Sequence, residues 1–455
     1  MKLYPYQQRA IEALRDAARA GSRRMLLVAP TGAGKTTIAS HVIRSALSRG
    51  SAVQFWAHRT ELISQCSARL DQHEVPHGVV QGGRTRGRHN AVQVVSVPTL
   101  VRRLDNAPPA DLVIVDEAHR SVAGSYVRCL ERYPRARVIG LTATPYRTDG
   151  TPLGDLYDSM AVVAQPDELV AGGWLMEPTL YAPDQPDMDG VAKRRGDWTP
   201  DASARAMKAL SGNVVTTWQR LASSERTVVF ACNVGHSREL VERFVAAGAR
   251  AEHVDGETPA PERDAILRRL RTGETQIVSN VGILTEGWDL PDLGAVVLAR
   301  PTQSCGLYLQ MVGRVLRVAP GKSRALVVDH GGNIARHGPP TWPRTFDLHA
   351  AEGEAGGKGP RVDSLHTCGA CFAVWGGAER TCPACGWEMP PPPIPEEVEA
   401  EVIEYKAPSA DRAIDEIRKL RAIAQARGYA DGWVAHRYKA RYGSWPSRWL
   451  LEAAR

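Results

Sequence analysis

The chain has no apolar run that approaches the length of a membrane span. Its first residues, MKLYPYQQRA, contain no apolar core of the kind that marks a secretory leader. Cysteine is scarce, at 8 residues in 455, and four of the eight (Cys66, Cys129, Cys232 and Cys305) stand singly. That usage gives no disulfide framework, and the three absences together predict a cytoplasmic protein. Nor is one sign of charge in large excess. A net charge of +7 suits a polyanionic partner without requiring one. What remains is ordinary globular composition, 43% hydrophobic, at a length that suits two or three domains.

The stretch from Ala29 to Thr37, APTGAGKTT, organises the rest. An apolar run that predicts a buried strand, MLLVAP, precedes it, and TIASHVIRSAL, with helical spacing, follows. Strand, glycine loop and helix together make a phosphate site. Thr31, Gly32, Ala33 and Gly34 bring backbone N–H groups close to an anion at a helix N-terminus. Lys35 supplies charge for the β- and γ-phosphates, and Thr36, with Thr37 beside it, supplies a hydroxyl for Mg²⁺. The first glycine of the longer GxxxxGK[ST] pattern is replaced by Ala29.

Short β-rich runs then alternate with helical stretches: Val53–His58, Val92–Val97, Asp111–His119 and Arg137–Thr144. This alternation predicts a parallel sheet flanked by helices, with ligands at the carboxyl ends of its strands. Asp116 and Glu117 follow the apolar run LVIV, where a buried acid needs a cation or a partner. Asp116 suits Mg²⁺, and Glu117 suits the activation of water. Ahead of the first helix, Gln7 and its neighbouring tyrosines could face an adenine. The loop GGRTRGRHN carries Arg84, Arg86 and Arg88 and predicts a solvated basic loop.

GxGKT, Asp116-Glu117-Ala118-His119 and Thr142-Ala143-Thr144, in this order, resemble the superfamily 2 helicases. The resemblance spans about Leu3 to Gly338 and implies two tandem RecA-like P-loop domains with ATP and Mg²⁺ between them. It maps the adenine-reading glutamine onto Gln7. It implies that His58 and Arg59 in one motif, and Thr99 in the next, grip a nucleic-acid backbone. VGILTEGWDLP looks like motif V, which places Thr285 on nucleic acid and Gly287 and Asp289 on the nucleotide side. YLQMVGRVLR looks like motif VI, with Gln310, Arg314 and Arg317 in catalytic roles. Always charged and forked, arginine suits the charge that develops on a γ-phosphoryl group. QMVGRVLR, DEAH and TAT differ from the pattern of RNA-remodelling DEAD-box proteins. They resemble DNA-directed translocases of bacterial or phage type, and so imply a bacterial or phage-infected cytoplasm. An RNA helicase, a duplex-tracking translocase and an ATP-latched loading protein are the alternatives.

The other four cysteines form Cys368-x₂-Cys371-x₁₀-Cys382-x₂-Cys385. Two CxxC knuckles with room for a short hairpin between them predict a four-cysteine zinc ribbon, closed and without catalytic function. The final segment, 411–455, carries ten cations against five anions, interleaved with Tyr429, Trp433, Tyr438, Tyr442, Trp445 and Trp449. It predicts a small helical segment whose aromatics mostly form its core, with a basic face for DNA or a protein partner. The expected organisation is an ATP-binding lobe over 1–162, a connection over 163–224 and a second lobe over 225–337. A linker over 338–365, the ribbon over 366–389, a Pro-rich acidic linker over 390–410 and the basic segment follow.

Overall fold

The computed structural model describes residues 3–350 apart from 148 and 195, residues 365–390, and 410–454 apart from 428, 430, 431 and 443. The first lobe contains strands β1 (Arg24–Val28), β2 (Val53–Ala57), β3 (Gly78–Gln81), β4 (Arg84–Arg86), β5 (Val92–Ser96), β6 (Leu112–Asp116), β7 (Arg137–Thr142) and β8 (Ser159–Val162). They form one sheet in the order β4-β3-β5-β2-β6-β7-β1-β8. Every pairing is parallel except β3 with β4. The apolar runs of β2, β5 and β6 are buried along their whole length, as parallel strands covered on both faces must be. Because β1, β6 and β7 lie side by side in register, their carboxyl ends bring Ala29, Asp116 and Thr142 to one edge of the sheet.

The second lobe repeats the plan. Strands β9 (Thr179–Tyr181), β12 (Thr227–Ala231), β13 (Ala251–Val254), β14 (Ile277–Asn280), β15 (Ala295–Ala299) and β16 (Leu326–Asp329) form a sheet in the order β13-β14-β12-β15-β16-β9. All of its pairings are parallel. A two-stranded ribbon, β10 (Lys193–Arg194) with β11 (Asp197–Trp198), lies between β9 and the helices that follow.

Two expectations need correction, and the basic loop, exposed as expected, gains a shape. Residues 163–224 are not merely a connection. β9 is an edge strand of the second sheet, and helices Pro200–Met207 and Ser211–Ala222 bury Met207, Val214 and Trp218 in that lobe's core. Residues 338–350 are not a free linker either. Arg344 exchanges backbone hydrogen bonds of 2.9 and 3.0 Å with the Gln165 side chain. Phe346 packs on Tyr146, and Leu348 enters the first lobe's core. Residues 351–364 lie outside the described residues, as does nearly all of the acidic linker. The basic loop is a hairpin on the sheet edge, with Arg86 held by Ser67 at 2.8 Å and Arg88 by the Asn106 carbonyl at 3.0 Å.

Strands β17 (Leu365–Thr367) and β18 (Val374–Gly376) form the antiparallel hairpin of the four-cysteine segment. The segment is stitched to the second lobe: Ala373 bridges Tyr181 of β9, and the Ala182 N–H donates to the Phe372 carbonyl at 2.9 Å. The described residues from 410 to 454 form a separate compact unit. Its helices Ala410–Arg427, Gly432–Tyr442 and Arg448–Ala453 share a core of Ala413, Ile417, Ala424, Val434 and Tyr438. The aromatics divide: Tyr438 is buried, whereas Tyr429, Trp445 and Trp449 are exposed. Among the described residues no helix is long and apolar enough to cross a membrane.

Candidate functional site

The glycine loop after β1 takes the shape its sequence predicts. Gly32 (φ +92°) and Gly34 (φ +77°) lie in the left-handed region, and a Cβ at Gly34 would stand 2.6 Å from the Gln7 side chain. Helix Lys35–Leu47 begins at once, so its free N–H groups face the loop. Lys35 reaches back to the Ala29 carbonyl at 3.0 Å. Burial lowers its pKa, while the charges of Glu117 and Asp116 oppose that shift. Asp116 ends β6 buried. Its carboxyl is pushed up to about 7, first by burial and then by the charge of Glu117, with Lys35 opposing. Glu117 is buried too and holds a left-handed φ of +51°, unusual for a residue with a side chain. Acids in this state suit a divalent cation, which would remove the repulsion between them.

The second lobe closes the cleft. Gly287, Asp289, Arg314 and Arg317 line it opposite Thr31, Gly32, Gly34, Lys35, Thr36, Thr37, Asp116 and Glu117, around roughly 630 Å³ of open space. Ala33 lies beneath, buried, and its carbonyl accepts from Tyr6 Oη at 3.1 Å and Gln7 Nε2 at 3.3 Å. Gln310 Nε2 donates to Glu117 Oε2 at 3.4 Å across the lobes. Arg314 is buried and donates to the carbonyls of Trp288 (2.5 Å) and Thr285 (2.6 Å). Arg317 pairs with Asp289 and packs beside Gly32, and burial brings its pKa down to about 10. Gly313 sits so tightly on the loop that a Cβ there would stand 2.3 Å from Thr31 Cβ. An aromatic wall completes the cleft: Tyr4, Tyr6 and Trp174, with ring centroids 4.9 to 5.9 Å apart. Sequence reasoning missed Trp174 because it falls in the supposed connection. Its one usable signal was a tryptophan just after a Gly-Gly turn.

The residues expected on nucleic acid are engaged differently. Arg59 donates to the carbonyls of Gly282 (3.0 Å) and Ile283 (3.2 Å), and Thr285 is buried with its hydroxyl on the Gly282 carbonyl. His58 and Arg59 both face Glu286, at 3.2 and 3.5 Å. Thr99 accepts the Gly82 N–H at 3.0 Å on the partly open edge of the first lobe. Glu286 itself was not singled out by sequence, since an acid inside TEGWD carries no signal of burial.

The four cysteines converge. One Sγ from each lies within 4.8 Å of the others, with Cys368 3.5 Å from Cys385 and Cys371 3.7 Å from Cys382. Zinc–thiolate bonds of about 2.3 Å in a tetrahedron place sulfurs about 3.7 Å apart, so the set fits zinc. The N–H groups of Ala370 and Cys371 donate to Cys368 Sγ at 3.4 and 3.3 Å. Burial alone would raise that thiol, but these donors outweigh it and bring it down to about 6. No fifth ligand is needed: His366 is turned to the Gly377 carbonyl.

Two stacked parallel α/β lobes with a glycine loop, two strand-end acids and two arginines around one cleft define a bilobal P-loop ATPase. Comparison with known proteins narrows the class. Residues 1–147 match the family described as type III restriction enzyme, res subunit, and residues 207–319 match the helicase conserved C-terminal domain, together more than half of the chain. A 51.5 kDa protein of Lactococcus phage (isolate 7-9) is 29% identical over 417 residues, 88% of each chain. IRC3 of Saccharomyces cerevisiae, assigned as an ATP-dependent helicase, is 30% identical over 354 residues, 72% of this chain and 51% of that one. The chain thus spans most of the phage protein but about half of the yeast relative. In fold it resembles a fragment assigned to the HsdR subunit of a type I restriction enzyme from Vibrio vulnificus YJ016 (TM-score 0.61, 21% identity, 75% of this chain and 67% of that one). The chain belongs to the superfamily 2 helicases.

Proposed function

We propose that the protein is a DNA-stimulated ATPase that moves along or unwinds DNA. The observation that carries this reading is the convergence of Lys35, Asp116 and Glu117 from one lobe with Arg314 and Arg317 from the other on a single cleft, while Gln310 of the second lobe reaches Glu117 by a hydrogen bond. Loop N–H groups, Lys35 and the N-terminus of helix Lys35–Leu47 bind the triphosphate. Thr36 and Asp116 hold Mg²⁺, which when bound neutralises charge on the β- and γ-phosphates. Glu117 orients and deprotonates the attacking water, and Gln310 fixes the Glu117 carboxylate. Arg314 and Arg317 exchange their present partners for the γ-phosphoryl oxygens, a contribution worth roughly 10³–10⁵ in rate in comparable enzymes. Gln7 and the wall of Tyr4, Tyr6 and Trp174 receive the base. Because the arginines and the P-loop sit on different lobes, turnover requires closure, and alternate closing and opening moves nucleic acid across the lobes.

DNA is favoured over RNA by the QMVGRVLR, DEAH and TAT sequences. It is also favoured by fold likeness to a restriction-modification enzyme, LlaBIII, whose structure is of the DNA-bound enzyme (TM-score 0.52, 18% identity). His58, Arg59, Thr99 and Thr285 form the backbone grip once their present contacts open. The four cysteines hold structural zinc, and the exposed Trp445 and Trp449 offer the C-terminal unit a contact for nucleic acid or a protein partner. The lobes divide near Gly172 rather than at the outset of β12, and the protein acts in the cytoplasm.

The test is ATP hydrolysis by the full chain, alone and with single-stranded DNA, duplex DNA or RNA, beside a Lys35→Ala control. Hydrolysis that DNA stimulates and the control abolishes supports the reading. Stimulation by RNA alone refutes the DNA assignment, and hydrolysis that survives Lys35→Ala removes the site.

A further inference from the structure

The most heavily contacted carboxylate in the lobe interface has no place in that cycle. Glu286 belongs to the second lobe, yet its side chain is 4% exposed and its ion-pair partners all come from the first. His58 Nε2 lies 3.2 Å away, Arg59 Nε 3.5 Å, His119 Nε2 3.5 Å and Arg120 Nη2 3.0 Å. Two of these, His58 and Arg59, are the residues assigned to the nucleic-acid backbone. Arg120 Nη2 donates a hydrogen bond to Glu286 Oε1 at 3.0 Å, whereas Glu286 Oε2, His58 Nδ1 and Arg120 Nε are buried without a hydrogen-bond partner. A cavity of about 190 Å³ lined by Arg59, His119, Arg120, Arg300, Thr144 and Gln310 adjoins it. A carboxylate thus stands where two guanidinium groups and two imidazoles of the first lobe converge, beside space for something larger.

Glu286 is linked to the chemistry by two short routes. His119 lies between carboxylates, with Nε2 toward Glu286 and Nδ1 3.4 Å from Glu117 Oε2. Along the chain, Glu286 sits between Thr285 and Trp288, whose carbonyls hold Arg314. Displacing Glu286 therefore moves the seat of Arg314 and frees one side of the contact to Glu117.

We propose that Glu286 is a positioning residue that couples the nucleic-acid grip to hydrolysis by standing in for a backbone phosphate. Without nucleic acid it neutralises Arg59 and Arg120, stands against the imidazoles of His58 and His119, and pins the loop that holds Arg314. A bound phosphodiester takes those cations, Glu286 withdraws, and Arg314 is released toward the nucleotide. Leaving the carboxylate buried without its cations, or the cations without an anion, is unfavourable, so the exchange is one for one. The inference rests on the ATPase reading above.

The test uses the full chain with Glu286→Gln, which keeps the shape and removes the charge. Binding of labelled single-stranded DNA is measured by anisotropy across a salt series, and ATP turnover with and without that DNA, with Lys35→Ala as control. Expected are DNA affinity up by about 3–10-fold, a salt dependence steeper by about 0.7 per phosphate newly held, basal turnover up severalfold, and a DNA-stimulated/basal ratio at less than half of wild type. A residue that merely supported the fold would lower affinity and basal turnover together, and that result overturns the proposal, as does an unchanged ratio. Should Glu286→Gln fail to unfold cooperatively, Arg120→Gln serves, since that side chain is 39% exposed. It must raise basal turnover while weakening DNA binding, and unchanged basal turnover rejects the idea. Loss of Lys35 dependence in the wild type instead sinks the ATPase reading itself.

Discussion

Replacing Gly313 by alanine tests whether the cleft works by closure. Gly313 closes helix Cys305–Val312 with φ −57° and ψ −13°, angles that alanine adopts freely. Its Cβ would stand 2.3 Å from Thr31 Cβ, whereas carbon atoms in contact settle at about 3.5–4.0 Å. Thr31 cannot swing away, because the atom met is its own Cβ, carried on a loop fixed by Gly32 and Gly34. The Cβ would also stand 2.9 Å from the Leu309 carbonyl of its own turn, which a small tilt relieves. The deficit of over 1 Å must therefore be met by moving one lobe from the other. Arg314 and Arg317 follow Gly313 directly in the chain and would move with it. A misplacement of about 1 Å lowers rate by roughly 10²-fold.

The expected result is kcat down by about 10²-fold at saturating DNA. ATP affinity should stay within about threefold, since Lys35 and Thr36 lie on the other lobe. Thermal stability should fall, because parting the lobes strains contacts between them such as Gln310 with Glu117 and Arg120 with Glu286. A coupled ATPase assay, a fluorescent nucleotide and a thermal melt decide it. Turnover within threefold of wild type would refute the closure argument, because the wedge would then be absorbed without moving the arginines.

Three further outcomes follow from the site. Glu117→Gln should keep nucleotide binding and lose turnover by roughly 10²–10⁴; near-normal turnover in single-turnover kinetics removes Glu117 from the role of base. Trp174→Ala should raise KM for ATP with kcat nearly kept, since a stacking wall binds ground and transition states alike; an equal fall in kcat would place Trp174 in the chemistry instead. Cys382→Ser should abolish the zinc found by elemental analysis and lower the melting temperature of the ATPase lobes, because the ribbon is stitched to β9; zinc loss without any shift would mean the ribbon folds independently of the lobe.

What the sequence made legible is what repeats at short range. Gly32, Gly34 and Lys35 are dictated by backbone conformation within one loop, and Asp116 by the apolar strand that ends on it. The CxxC pairs declare their convergence by spacing alone. What it left hidden is set by partners far along the chain. Thr179–Tyr181 is too short to show a period, and becomes a strand only because β16 offers it an edge. Trp174 faces the cleft because Tyr4 and Tyr6, about 170 residues earlier, complete the wall. Gly338 to Ala350 looks like linker by composition, yet Phe346 and Leu348 find apolar cover on the first lobe.

Glu286 is the sharpest case, and it bears on how two lobes act as one engine. A cleft lined by Lys35 on one side and Arg314 on the other gains nothing from ATP until the sides approach. Basic residues that grip a polyanion would by themselves crowd the edge of the first lobe with like charge. One buried carboxylate from the opposite lobe answers both needs at once. It draws the cationic edge of the first lobe onto the motif that seats Arg314, and it can be displaced by the very polymer those cations bind. Nucleic acid and nucleotide need no long relay between them, since Glu286, His119 and Glu117 span the distance with contacts of 3.4 to 3.5 Å.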